Sequence, residues 1–176
     1  MASITLRMVV SVVLLAACPS FAADPTAPVR EVVEATAKNW ADDGNGGEDV
    51  FSEDRLARLF SAEFVALFRA ASKNPPFGLA DGETTGFPFD YDPIAGGQDG
   101  CPFKDIRIED DGDGQVTALF NNRACFGDGP EYKQDTVVIF HVDEEKGRAV
   151  IDDVYHVVNF ETGPSLKQQM KDIAAQ

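Results

Sequence analysis

Basic residues are scarce in this chain. Fifteen Lys and Arg stand against 30 Asp and Glu in 176 residues, a formal net charge of −15. Phosphate backbones are bound through clustered Lys and Arg, so nucleic acid is not an expected partner. Anionic membrane surfaces repel such a chain as well. A cationic partner is allowed by this charge but not implied, since acidic surfaces mostly serve solubility. Histidine is nearly absent, with only His141 and His156. A zinc site needs three or four ligands of fixed geometry, and no cysteine is spare to join them. We therefore expect no metal centre and no cofactor. The sequence shows no G-x-S-x-G, no phosphate-binding loop, no dinucleotide-binding glycine pattern and no nucleophile with a partner base. Internal repeats and low-complexity segments are also missing.

The chain opens MASITLRMVVSVVLLAACPSFAADP. Its apolar run from Met8 to Ala17 is short of the roughly 20 residues that cross a bilayer as a helix. It fits the apolar stretch of a secretory signal. Ser20-Phe21-Ala22 suits ordinary cleavage before Ala23, which makes 1–22 the signal peptide. Leu15-Ala16-Ala17-Cys18 also suits a lipoprotein signal, with 1–17 removed and Cys18 lipidated. Both readings stay open, and both place the domain outside the cytoplasm, in the periplasm or secreted. Only lipidation of Cys18 attaches it to the membrane. Cleavage before Ala23 removes one Arg and no acid, leaving the mature chain one unit more negative. About 150 mature residues make one domain with enough core to fold alone.

Residues 23–28 read as a linker, and 29–176 as a single α+β domain. Val29, Val32, Val33, Thr36 and Trp40 form a helical stripe behind Pro28, ended by Gly44 to Gly47. A second helix starts at Ser52, a good N-cap, with Leu56, Leu59, Phe60, Phe64, Leu67 and Phe68 on its apolar face. Lys73-Asn74-Pro75-Pro76 stops it. Phe77 to Gly100 has no period of either kind, and a stretch of that length is uncommon in a compact domain.

Four antiparallel strands follow. Ile106 and Ile108 alternate with charges; Val116 to Phe126 comes after the turn DDGDG. The continuous run Thr136 to Val142 suggests a central strand covered on both faces. Ala149 to Val158 is the last strand. Pro164 opens a short terminal helix with Leu166, Met170 and Ile173 facing in. The expected fold is helices laid on one face of a curved sheet of about four strands.

Of the three cysteines, Cys18 belongs to the signal or to a lipid. Cys101 and Cys125 remain, an even pair in an oxidising compartment. A hairpin centred at residue 113 sets Ile106 against Phe120, Ile108 against Ala118 and Cys101 against Cys125. Opposed strand residues lie within disulfide reach. The apolar face changes parity between Phe103 and Ile106, so a bulge is expected there.

Three stretches carry candidate chemistry. Glu109 to Gly114 resembles the front of a calcium-binding loop, with Glu109, Asp111 and Asp113 at alternate positions. Its first ligand is Glu, and Phe120 stands where a closing acid belongs, so a polar hairpin turn is the favoured reading. Asp152-Asp153 lies inside the last strand, where neighbours point to opposite faces. One carboxylate then faces solvent and the other the helix side, where it either caps loop NH groups or serves as a raised-pKa acid. The loop Asp90-Tyr91-Asp92-Pro93-Ile94-Ala95-Gly96-Gly97-Gln98-Asp99-Gly100-Cys101 combines turn chemistry with polar side chains. It reads either as a clamp whose aspartates bond loop NH groups or as a ligand contact, and it is expected to close the open side of the sheet.

This loop and the final strand resemble the DUF3828 domain of exported bacterial proteins and lipoproteins. The resemblance rests on the two early helices, on Asp90-x-Asp92-Pro93-Ile94 with Gln98-Asp99, and on Ala149-Val150-Ile151-Asp152-Asp153-Val154. A tryptophan common near the start of that strand is replaced here by Arg148-Ala149. The resemblance implies an NTF2-like/cystatin-like cone and leaves function open. We favour a non-enzymatic module binding a small molecule or an envelope protein, with Asp90, Asp92, Gln98, Asp99, Asp152, Asp153 and Tyr155 lining or bracing the site. One alternative is an isomerase or hydrolase of the NTF2-like kind with Asp152 or Asp153 as general base. Another is an acidic inhibitor or immunity-type protein with a basic partner.

Overall fold

Helix α1, Thr26–Asn39, begins where Asp24 Oδ1 accepts the Thr26 amide (2.9 Å) and hydroxyl (2.8 Å). It therefore starts inside the stretch expected as linker, and Pro28 falls in its first turn, where no intrahelical donor is needed. Val29, Val32, Val33 and Thr36 form a fully buried stripe. The computed structural model describes residues 23–41, 47–74 and 85–176. The stretch expected as a signal peptide, Cys18, most of the glycine run after α1, Pro75-Pro76 and the start of the long loop lie outside the described residues.

The second expected helix is two helices, α2 (Glu53–Leu59) and α3 (Ala62–Ala71), with Phe60 and Ser61 extended between them. Ser52 Oγ caps α2 through the Arg55 amide, and Ser61 Oγ caps α3 through the Phe64 amide at 3.0 Å. The Ser61 amide donates to the Ile151 carbonyl at 2.9 Å, a strand-like bond that outweighs one more helical turn. The apolar spacing runs through this break because Phe60 and Phe64 both reach the core, so periodicity alone merged the two helices.

The sheet is an antiparallel meander, β1 (Lys104–Gly112), β2 (Gln115–Asn121), β3 (Thr136–Glu145), β4 (Arg148–Val158) and β5 (Glu161–Thr162), paired in chain order. The short β5 is one strand more than expected, and β2 ends before Phe126. Ile108 faces Ala118 as expected. Ile106 does not pair with Phe120: the expected bulge lies at Asp105, whose φ is 53°, and leaves Ile106 exposed. Cys101 and Cys125 form the disulfide with Cα atoms 5.6 Å apart. They are not opposed ladder residues, since the last pair is Lys104 with Asn121. The bridge instead joins the segment before β1 to the turn after β2, where the Cys101 amide donates to the Asn122 carbonyl (2.8 Å).

Helix α4, Leu166–Ala174, is capped by Ser165 and buries Leu166 and Met170 beside α3 and β4. The helices thus share one face of the sheet, over Val116, Phe120, Val138, Phe140 and Val154. Strand β3 was expected to be covered on both faces. It buries Val138, Phe140 and Val142, while Val137 and Ile139 are half-buried and His141 is exposed. Its unbroken apolar run marks a strand but does not reveal that all covering elements lie on one side. Among the described residues, no helix is long and apolar enough to cross a membrane.

Candidate functional site

The loop before β1 is held by its own polar groups. Asp92 Oδ1 accepts the amides of Ile94 and Ala95, both at 2.9 Å, and Oδ2 accepts Trp40 Nε1 at 2.8 Å. The Asp92 amide donates to Gly97 O (3.0 Å) and the Gly96 amide to Asp92 O (2.8 Å), closing a tight turn. This is Asx-type turn chemistry, in which a short carboxylate satisfies amides that the turn itself cannot. Ile94 then plugs the core at 0% exposure. His156 Nε2 meets Pro93 O at 2.9 Å, and the Tyr91 hydroxyl donates to Gln169 Oε1 at 2.6 Å. Burial lowers the pKa of His156. Gly96 has φ +77° and lies so close to this imidazole that a Cβ would sit 2.8 Å from the ring. Both the conformation and the contact demand glycine there.

The loop packs on the helix-covered face, because its partner His156 belongs to that side and its own Ile94 enters the core there. It does not close the open side of the sheet. The opposite face carries Leu119, Val137, Ile139, Tyr155 and Val157, all half-buried.

A cleft of about 680 Å³ opens between this loop and the end of α1. One wall is Phe87, Phe89, Tyr91 and Asp90, and the other is Trp40 with residues 48–51. Asn39 stitches the second wall to α1: its Oδ1 accepts the amides of Gly47 (3.0 Å) and Glu48 (2.9 Å), and its Nδ2 donates to Glu48 O (2.8 Å). Arg55 braces the same wall from behind, bonded to the Glu48 carboxylate and to Asp49 O (2.7 Å). Asp49 Oδ1 accepts the Phe51 amide at 3.0 Å. Phe51 and Phe89 are nearly buried and form the floor, while Phe87, Tyr91 and Trp40 are partly exposed. The rings of Phe87, Phe89 and Tyr91 follow one another edge to face at 5.7 and 5.6 Å.

Of the residues read from the sequence as a site, Asp90, Asp92 and Gln98 line this cleft. Asp92 contributes mainly bracing, and Gln98 Nε2 donates to Asp90 O (2.8 Å). Asp99 is exposed and does not line the cleft. The cleft's aromatic residues were missed. Their signal was the alternation Phe87, Phe89, Tyr91, a period-2 pattern inside a stretch whose glycine and proline content marked it only as loop.

Asp152, Asp153 and Tyr155 belong to a different place. A register shift opposite His141 and Val142 leaves Asp152 unpaired in the β3–β4 ladder. The two aspartates therefore do not divide between solvent and helix, as simple alternation suggests; both bond to α4. Asp152 binds Lys167 Nζ with both oxygens at 3.0 Å and accepts the Ser61 hydroxyl at 2.7 Å. Burial raises its pKa, but the bonds from Ser61 and Lys167 outweigh burial and hold the carboxyl below its usual value. Lys167, also bonded to Glu63 at 2.6 Å, is pushed up correspondingly: burial disfavours its charge, and the two carboxylates more than compensate. Asp153 Oδ1 accepts the Lys167 amide at 3.0 Å in the first turn of α4. Tyr155 packs against His141 with ring centroids 4.7 Å apart on the open face.

At the β1–β2 turn, Asp110 Oδ1 accepts the Gly112 amide (2.9 Å), and Asp111 accepts the Thr117 hydroxyl (2.5 Å). Asp113 takes φ 52°. These carboxylates hold a hairpin, and among the described residues no group of three or more His, Cys, Asp or Glu is placed to hold a metal ion. Comparison with family models, curated proteins and solved structures finds no match to this chain.

Proposed function

We propose that this chain is an exported, non-enzymatic ligand-binding module of the DUF3828 kind, and that the cleft between Trp40 and the 87–98 loop is its binding site. The observation that carries this is the cleft itself. Its volume of about 680 Å³ falls within the roughly 300–1,000 Å³ typical of small-molecule sites. Its floor is aromatic, and its walls are fixed by hydrogen bonds before any ligand arrives, which lowers the entropic cost of binding. The disulfide and the signal-like N-terminus support export to the periplasm or beyond.

The lowered pKa of Asp152 argues against this residue as a general base. A general base for isomerisation or hydrolysis works best when its pKa is raised towards the operating pH, and Asp152 is held the other way. Asp153, bonded to the start of α4, has a structural task.

Native mass spectrometry of protein released gently from the cell envelope tests the proposal. A small, dissociable added mass is the expected result, and it should disappear in Gln98→Trp, which fills the cleft. A bare domain or a second protein subunit in place of the adduct would overturn it, the second outcome pointing to the acidic inhibitor reading.

A further inference from the structure

We propose that the ligand of this cleft is an organic cation, an ammonium or related group on an apolar body. The inference rests on the binding reading above and concerns the chemistry of the occupant. The cleft is defined by its cavity and its rings, and the question is what charge they accept.

Among the described residues, every ionisable group on its walls apart from the Tyr91 phenol is a carboxylate: Glu48, Asp49, Asp90 and Asp92. They are not equally available. Glu48 is paired with Arg55 and Lys38, and Asp92 is occupied by Trp40 and two loop amides. Asp90 differs: its carboxylate is exposed and makes no hydrogen bond or ion pair among the described residues, while its carbonyl is tied to Gln98. Asp49 bonds Phe51 through one oxygen and leaves the other unbonded among the described residues. An anion entering the cleft would meet uncompensated like charge. A neutral ligand would gain the floor and, from the rim, hydrogen bonds without the attraction between opposite charges.

The rings argue in the same direction from separate chemistry. Phe87, Tyr91 and Trp40 show partly exposed surfaces to the cavity, and a cation within roughly 6 Å of such a ring is attracted by its quadrupole. Phe51 and Phe89 beneath them offer apolar surface to an alkyl or aryl body. A bare metal ion does not fit this set. Hard divalent cations take about six or more oxygen ligands, and among the described residues no three or more His, Cys, Asp or Glu side chains are placed to hold a metal ion together. The occupant must therefore bring apolar surface together with its charge.

Trp40 is the only tryptophan in the chain and lines the cleft, so its fluorescence reports occupancy directly. Three probes sharing one ring separate the contributions: 2-phenylethylammonium, 2-phenylethanol and 3-phenylpropionate. The cation should bind roughly tenfold more tightly than the alcohol, the carboxylate should not bind, and 0.5 M salt should weaken the cation alone. Asp90→Asn should weaken the cation roughly two- to fivefold and leave the alcohol and the thermal midpoint unchanged, since Asp90 is exposed. If alcohol or carboxylate matches the cation, the charge assignment fails while the cleft remains a binding site. If none of the three perturbs Trp40, the assignment also fails, and the envelope adduct alone then decides the binding reading.

Discussion

Replacing Asp92 by Ala removes a side chain that accepts three hydrogen bonds, from the amides of Ile94 and Ala95 and from Trp40 Nε1. Ile94 and Ala95 are 0% and 3% exposed, so water does not readily reach the donors left behind. A buried donor without a partner costs roughly 1–3 kcal/mol, and the three losses share one group and do not add fully. A total of about 4 kcal/mol is a reasonable sum. For a domain near 150 residues, each kcal/mol moves the melting temperature by roughly 2–4 °C, so Asp92→Ala should melt about 8–16 °C lower. Asp92→Asn separates the contributions. Its amide oxygen still accepts the two loop amides, but its NH₂ meets the Trp40 N–H donor to donor. It should therefore lose less, about 1–2 kcal/mol, and Trp40 emission should change with it. Urea unfolding followed by far-UV circular dichroism gives the free energies, and calorimetry gives the midpoints. An Asp92→Ala protein within about 1 kcal/mol of the parent would refute the reasoning and make Asp92 a ligand contact rather than a brace.

Lys167→Met leaves Asp152 without its cation in a mostly enclosed position, and should cost about 2–3 kcal/mol by urea unfolding, more than Asp152→Asn. Because the Asp152 carboxyl is held below its unfolded value near 3.9, its contribution is present above that pH and is lost as pH falls through the lower folded pKa. Asp152→Asn should flatten that acid limb in a stability-versus-pH series. His156 carries the opposite charge change: its folded pKa is lowered, so the unfolded chain takes up the proton first. Stability should fall as pH drops from about 6.5 towards the folded value. His156→Gln, which keeps a donor near Pro93 O, should remove this slope, and an unchanged slope would show that other groups cause it. Gly96→Ala meets both a positive φ and the His156 ring, and should cost about 1–3 kcal/mol by the same assay. Cys101→Ser with Cys125→Ser opens a loop of sequence separation 24, and should cost about 3 kcal/mol if loop entropy dominates.

Much of the architecture was legible in local chemistry. Ser52 announced a cap, Gly112-Asp113-Gly114 a hairpin turn, and Thr136 to Val142 a strand, because each depends on backbone preferences within a few residues. The missed features depend on partners distant in sequence. Ser61 breaks one expected helix into two because its amide finds Ile151, 90 positions later. Asp152 and Asp153 both reach α4 because the ladder shifts register against β3, a property of two strands together. Tyr155, named with the loop residues as lining or bracing one site, instead packs against His141 on the face opposite the helices.

The α+β class, the acidity and the pairing of Cys101 with Cys125 are written in the amino-acid order, and so is the choice for Asp92 between clamp and ligand contact, which the fold resolves towards the clamp. Those follow from composition, periodicity and short-range turn geometry, which the chain carries wherever it goes. Long-range packing places the loop with the helices rather than on the opposite face, and brings Phe51 and Trp40 to Phe87, Phe89 and Tyr91 around a cavity. Two segments some 40 residues apart have no local preference for one another. They meet because Ile94 fills the end of the core and Asn39 and Arg55 hold the opposite wall in place.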